Sequence, residues 1–356
     1  MKKKVKILFL YAELAGYFIS CLDILLKRGV EIHVIHLPVN KEAPFSIFFN
    51  EKILRYQRNE FNKKQLIELV KKISPNLIYS SGWTDRDYLS VCRKFNGNIP
   101  VIVGFDNKWE GSIKQRLGIL FSNVTIHNYF SHCWIPGIPQ YEFAKRLGFK
   151  NENILTGFYT CDFNLFYNLY LKYNESKKIK FPRRLIFVGR YVEAKGIKYL
   201  WKAFAEFQEE SSNAWELWCI GTGDIEPIVH PKIKHFGFVQ PNEMGRFIAE
   251  TGVFILPSSF EPWGVVVHEF ASAGFPLLCS NEVGAADVFL KEGENGFIFK
   301  AGDISDLKNA MKKIFSLTNE QLFSMGEKSA ELAQQITPGK WADTLMSIIK
   351  KDARQV

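Results

Sequence analysis

Short apolar runs rich in β-branched and aromatic residues alternate along the chain with longer segments whose apolar positions recur at helical spacing. This is the pattern of parallel strands joined by covering helices. In the first half the predicted strands are Lys6–Leu10, Glu31–His36, Leu77–Ser80 and Val101–Val103. Between the first two, the spacing predicts a helix from Phe18 to Lys27 that ends at Gly29, where glycine suits a left-handed C′ position. The stretch Tyr173–Arg184 (YNESKKIKFPRR) has almost no apolar content and is expected to be a linker. After it the alternation restarts with Leu185–Val188, Glu216–Ile220, Lys234–Phe236, Val253–Leu256 and Pro276–Leu278. The expected organisation is a domain over 1–168, a linker over 169–184, a second domain over 185–335, and a closing helix over 336–356 that packs back toward the first. Both domains read as doubly wound α/β sheets, which bind ligands at the carboxyl ends of their strands, so the expected place for a ligand is a cleft between them.

Composition adds exclusions. Apolar residues make up 47% and charged residues 23% of the 356, ordinary globular values that argue against long disorder. No run approaches the ~18 apolar residues of a membrane span. The basic start Met1-Lys2-Lys3-Lys4 is followed by an apolar run, Ile7 to Tyr11, too short for a secretory signal, so a cytoplasmic protein is expected. Six scattered cysteines, Cys21, Cys92, Cys133, Cys161, Cys219 and Cys279, have no metal spacing and are expected to be buried and reduced. The net charge is +9, and all of it falls in residues 1–168, with 23 Lys plus Arg against 14 Asp plus Glu. That asymmetry implies an anionic partner for one half only.

Two constellations carry chemistry. Directly after the strand Val253–Leu256 comes Ser258-Ser259-Phe260-Glu261-Pro262-Trp263-Gly264-Val265-Val266-Val267-His268-Glu269. Pro262 suits a first helical position, and a helix starting there leaves the amides of Trp263, Gly264 and Val265 open to a diphosphate. Glu261 and Glu269 beside an anion site make sense as acceptors for vicinal hydroxyls on a sugar or ribose. The bland alternative is a capping glutamate and a solvated one, although Glu269 sits among apolar neighbours. After Leu185–Val188 comes Gly189-Arg190-Tyr191-Val192-Glu193-Ala194-Lys195-Gly196. Arg190 offers a planar fork and Lys195 a mobile charge, the pair needed to neutralise a departing diphosphate.

With these residues in view, the sequence resembles glycosyltransferase family 4, the retaining nucleotide-sugar glycosyltransferases of GT-B fold. Residues 185–300 carry the likeness: the two constellations, Trp215–Gly223, His235-Phe236-Gly237-Phe238-Val239, Gly284-Ala285-Ala286-Asp287 (usually Glu in the family) and Glu294-Asn295-Gly296-Phe297. In the first half only Ala15-Gly16 and the turn Tyr159–Phe166 match, and weakly. The resemblance implies two Rossmann-like domains facing a central cleft. It also implies Arg190 and Lys195 on the diphosphate, Glu261 on the transferred sugar, Glu269 on the ribose and the Phe238–Val239 backbone against the base. Gly189, Trp263, Gly264, Val265 and Val266 complete the expected donor site, with Gly16 and Asp106 from the first domain. Asp106 otherwise reads as a helix-capping loop residue.

Other patterns fit less well. Gly221-Thr222-Gly223-Asp224-Ile225-Glu226 lacks the third glycine of a dinucleotide fingerprint. Asp85-Arg86-Asp87 could be a metal-binding D-x-D, but it opens a helical segment and reads as first-turn charge, so no metal and no cofactor beyond a nucleotide-diphosphate sugar are expected. The cluster Pro44–Phe49 and the cations Lys52 to Lys72 suit an anionic leaflet, the alternative being a helix with its apolar face in the core. Nucleic acid is not expected, since no reader motif accompanies the charge. The expected reaction is sugar transfer to a sugar, lipid-linked or glycan acceptor, in surface polysaccharide or glycolipid synthesis, at the inner face of a membrane. A non-catalytic nucleotide-sugar-binding or scaffold subunit is the alternative.

Overall fold

A computed structural model describes residues 4–352 apart from 13, 15, 38–48 and 212. The chain forms two compact units, one of residues 1–160 together with 336–356, the other of residues 161–335.

The first unit is built on seven parallel strands: β1 Lys6–Tyr11, β2 Glu31–His36, β3 Leu54–Gln57, β4 Leu77–Ser80, β5 Val101–Gly104, β6 His132–Trp134 and β7 Ile154–Leu155, in the order β3-β2-β1-β4-β5-β6-β7. Along β1 the pleat sends Ile7, Phe9 and Tyr11 into one apolar cluster and Leu8 and Leu10 into the other. A strand covered on both faces has no polar side, which is why it reads as an unbroken apolar run. The first cluster is closed by the helices Gly16–Lys27 and Pro338–Asp352, the second by Lys63–Ile73 and Arg86–Phe95. Gly29 has φ +80 and the amide of Val30 reaches back to the Leu25 carbonyl at 3.1 Å, the glycine-ended helix expected there.

The second unit has six parallel strands: β8 Arg184–Val188, β9 Glu216–Ile220, β10 Ile233–His235, β11 Val253–Leu256, β12 Leu277–Ser280 and β13 Gly296–Phe299, ordered β10-β9-β8-β11-β12-β13. All six cysteines are free and buried.

Where a linker was expected over 169–184, the chain forms the helix Phe163–Ile179. Asp162 caps its start by accepting from the Leu165 amide at 3.3 Å, Phe166 is buried, and the polar run that suggested a linker lies largely on its outer side. β3, β6, β7 and β13 were not expected. β3 and β6 are short and carry polar or aromatic residues, β7 is only two residues long, and β13 opens on glycine. No helix among the described residues is long and apolar enough to cross a membrane.

Candidate active site

In the second sheet the chain winds outward from β8 through β9 to β10, then returns to β11 beside β8 and winds the other way. Connections leaving β8 and β11 therefore diverge, and the crevice at their carboxyl ends is where such a sheet takes a ligand. Both chemical constellations leave the sheet at this point.

After β8 the chain turns at Gly189, whose amide donates to the Ile220 carbonyl at 3.0 Å; Tyr191 donates to Thr222 at 2.8 Å. Arg190 lies on this stretch with an exposed side chain. A single helical turn, Glu193–Lys195, ends at Gly196 with φ +67. The amides of Ser259 and Phe260 both donate to the Ala194 carbonyl, at 2.9 and 3.3 Å. A Cβ on Gly196 would stand 2.0 Å from the Pro257 carbonyl oxygen, so glycine is demanded by both the backbone angle and the approach of the second loop. The two loops are thereby joined, and Lys195 Nζ donates to Glu261 Oε2 in a close ion pair. Ser258 Oγ also donates to that oxygen at 3.4 Å.

The helix behind Glu261 starts later than the sequence suggests. It spans Val265–Ser272, with Gly264 at φ +93 before it and no side-chain cap. Pro262 is not its first residue, because this segment is held extended: Gly284 donates to the Glu261 carbonyl at 3.0 Å and Ala285 to the Trp263 carbonyl at 2.8 Å. The Trp263 side chain is buried against Phe289. The helix therefore opens with Val265 and Val266, which precede its first bond, Val267 N–H to Gly264 O at 3.0 Å. Both are partly exposed.

Glu269 lies one turn into this helix. Burial pushes its carboxyl up to about 7, and the Asp162 carboxylate adds to the rise. The residue keeps partial exposure, so water moderates the effect without changing its sign. The helix itself is fixed by His268, whose Nδ1 accepts from the Cys161 amide at 3.1 Å and whose Nε2 lies 3.0 Å from the Ala333 carbonyl. The Asp162–Glu269 approach could not be read from the sequence. Asp162 stood out only as part of the turn Tyr159–Phe166.

Phe238 and Val239 follow β10 past Gly237, whose carbonyl accepts from Gly221 at 2.8 Å. Phe238 is exposed. Gly221 has φ +135, and a Cβ there would meet the Gly189 carbonyl oxygen at 1.9 Å. The Gly221–Gly223 glycines thus serve backbone packing.

Gly16 and Asp106 belong to the first unit. Gly16 opens the helix after β1, is exposed, and has nothing within 4 Å of where a Cβ would stand. Asp106 follows β5 and accepts a hydrogen bond from Tyr159 Oη at 3.2 Å. The D-x-D pair is occupied internally: Asp85 caps the helix Arg86–Phe95 by accepting from the amides of Asp87 and Tyr88, and Arg58 binds Asp85 at 2.9 Å and Asp87 at 2.6 Å.

Comparison with known proteins agrees with this layout. Residues 172–332 match the family model for glycosyl transferases group 1. The chain is 30% identical to an uncharacterized glycosyltransferase of Methanocaldococcus jannaschii, over 38% of this chain and 36% of that protein. It is 28% identical to the lipopolysaccharide core biosynthesis glycosyltransferase LpsE of Rhizobium meliloti, over 36% and 38%. The matches thus span little more than a third of these curated relatives. The crystal structure of Anabaena HepE in complex with UDP and glucose superposes with a TM-score of 0.69 at 14% identity, over 98% of this chain and all of that one. That likeness, with the two parallel sheets, shows the GT-B fold.

Proposed function

We propose, from the match of residues 172–332 to the family model for glycosyl transferases group 1, that this chain is a retaining glycosyltransferase using a nucleotide-diphosphate sugar. The observation that carries the reading is the joining of the two loops at the β8–β11 crevice, with Lys195 held on Glu261 ahead of an uncapped helix start.

In this reading the amides of Val265 and Val266, together with Lys195 and Arg190, take the diphosphate, and a helix start favours negative charge there. Glu261 fixes the Lys195 ammonium and turns its other oxygen to a sugar hydroxyl. Glu269 holds the ribose hydroxyls, and the Phe238–Val239 backbone meets the base. When the bond between the anomeric carbon and the diphosphate breaks, negative charge grows on the leaving oxygen. Preplaced cations and amides stabilise that change more than they stabilise the bound donor, and this difference lowers the barrier. The acceptor hydroxyl then adds on the face the diphosphate leaves, which retains configuration, and its proton can pass to the leaving phosphate. The anion site needs no metal for this charge balance. Relatives in lipopolysaccharide synthesis support a lipid-linked or glycan acceptor at the inner face of a membrane.

The test is nucleotide diphosphate release from a panel of UDP-, GDP- and ADP-sugars. Lys195→Ala and Arg190→Ala are each expected to lower kcat on the order of 10²–10³-fold with a smaller change in KM. Near-normal turnover in Arg190→Ala overturns the assignment of that residue. Tight donor binding by the unaltered chain without any release, with acceptors present, overturns the enzyme reading in favour of a nucleotide-sugar-binding subunit.

A further inference from the structure

The basic segment that follows the first unit's aromatic cluster offers little apolar surface where it is described, Leu54 standing alone. In the helix Lys63–Ile73 the apolar residues Leu66, Val70 and Ile73 are buried in the core. Residues 44–48 of the cluster itself lie outside the described residues.

A different helix does offer one. Ile113–Leu120 has no buried residue, and its large apolar side chains stand in solvent: Ile113 is 78% exposed, Leu117 53% and Leu120 72%, followed by Phe121 at 54% and Val124 at 61%. At about 100° per residue, Ile113, Leu117, Leu120 and Phe121 fall within an arc of roughly 100°. Lys114 and Arg116 fall just outside the two edges of that arc, and both are exposed. No carboxylate occurs from residue 111 to residue 141. A soluble surface helix ordinarily turns such a stripe inward, so this stripe does not serve the core of its own unit.

We propose that Ile113–Val124 is a docking surface for an anionic lipid bilayer, lying in the interface with the stripe among the acyl chains and Lys114 and Arg116 at the headgroups. Charge complementarity selects this occupant. The stripe is flanked by cations alone, and it sits in the half of the chain that carries the whole +9 excess. Apolar burial and attraction to anionic headgroups add at such a helix, and neither alone holds a protein firmly. The inference deepens the membrane-face placement proposed above and rests on it, but it does not depend on sugar transfer.

The experiment is flotation of the full chain with vesicles of phosphatidylcholine containing about one third phosphatidylglycerol, against phosphatidylcholine alone, in low and high salt. The unaltered chain is expected to float with the anionic vesicles and to be released by salt. Leu117→Asp with Leu120→Asp is expected to weaken partitioning at least about tenfold, because two anchors are lost and two like charges face the lipid. Lys114→Gln with Arg116→Gln is expected to remove most of the salt dependence. These side chains are exposed, so circular dichroism and Tm should be unchanged, and donor turnover in the absence of lipid should match the unaltered chain. Failure of the unaltered chain to float, or equal flotation of the aspartate variant, overturns the proposal whether or not sugar transfer is seen. Concentration-dependent dimerisation abolished by Leu117→Asp, with no flotation, overturns it in favour of a second copy of the chain.

Discussion

At the scale of one residue, Glu269 is where stability and binding pull apart. Its carboxyl is pushed up to about 7, because burial and then Asp162 disfavour the charged form. A carboxyl whose folded pKa is raised favours folding fully only below the ordinary carboxylate range, and loses that contribution as pH rises toward about 7. Above pH 7 the folded chain therefore carries a desolvated anion, at a cost on the order of 3 kcal/mol before solvent screening and less with it. Glu269→Gln should raise Tm at pH 8 and leave it nearly unchanged near pH 4, below the ordinary carboxylate range. If the anion is kept for ribose hydroxyls, the same variant should bind nucleoside diphosphate more weakly, and the unaltered chain should bind it more tightly as pH rises through 7. Calorimetric titrations at pH 6 and 8 check both. A variant that gains Tm and loses no affinity would leave Glu269 as a buried glutamate without a ligand.

At the scale of elements, what could be read was whatever one run of residues decides. Glu31–His36, Leu77–Ser80, Glu216–Ile220 and Val253–Leu256 match their predicted limits because the middle of a strand buried on both faces is rich in apolar, β-branched residues. The two constellations were legible as motifs for a similar reason: each follows its strand without interruption. Their joining was not legible, since the Ala194 carbonyl and the Ser259 amide meet only because β8 and β11 are neighbours. The helix start at Val265 was misplaced because Pro262 is a good first residue locally, whereas Val283–Ala285 holds the segment extended. The helix Phe163–Ile179 was missed through its charge. Lys177, part of the apparent linker, is in fact buried, with Nζ 3.7 Å from the centre of the Phe275 ring and no hydrogen-bond partner among the described residues. Burial pushes its amine well below the ordinary lysine range. A lysine lowered in this way weakens folding wherever the unfolded amine is protonated, and the penalty fades as pH rises toward the ordinary lysine range. Lys177→Met keeps the volume and removes the penalty. It is expected to raise Tm by a few degrees at pH 7, with a gain that shrinks by pH 10, measured by thermal unfolding.

At the scale of the whole molecule, the two units differ in how the chain builds them. The second is continuous, residues 161–335, whereas the first is completed by residues 336–356 from the far end of the sequence. The completing helix Pro338–Asp352 is part of the first unit's core. The Trp341 ring lies tilted 4.9 Å from Trp134 and stacks 6.0 Å from Phe9, its Nε1 donates to the Phe158 carbonyl at 3.0 Å, and Arg28 Nη1 meets Asp343 at 2.7 Å. Removing one buried tryptophan from such a setting costs about 3–5 kcal/mol, a large part of the stability of an ordinary domain. Residues 161–335 expressed alone should therefore unfold cooperatively and bind nucleoside diphosphate, since every proposed diphosphate, ribose and base contact lies within them. Residues 1–160 alone should lack a cooperative transition, and a peptide of residues 336–356 supplied in trans should restore one. Trp341→Ala in the full chain should lower the unfolding of the first unit selectively, read by hydrogen exchange at β1 and β4, while exchange at β8 and β11 stays protected. Equal loss of protection in both sheets would mean that the units do not unfold separately, and that the donor site draws its stability from the entire chain.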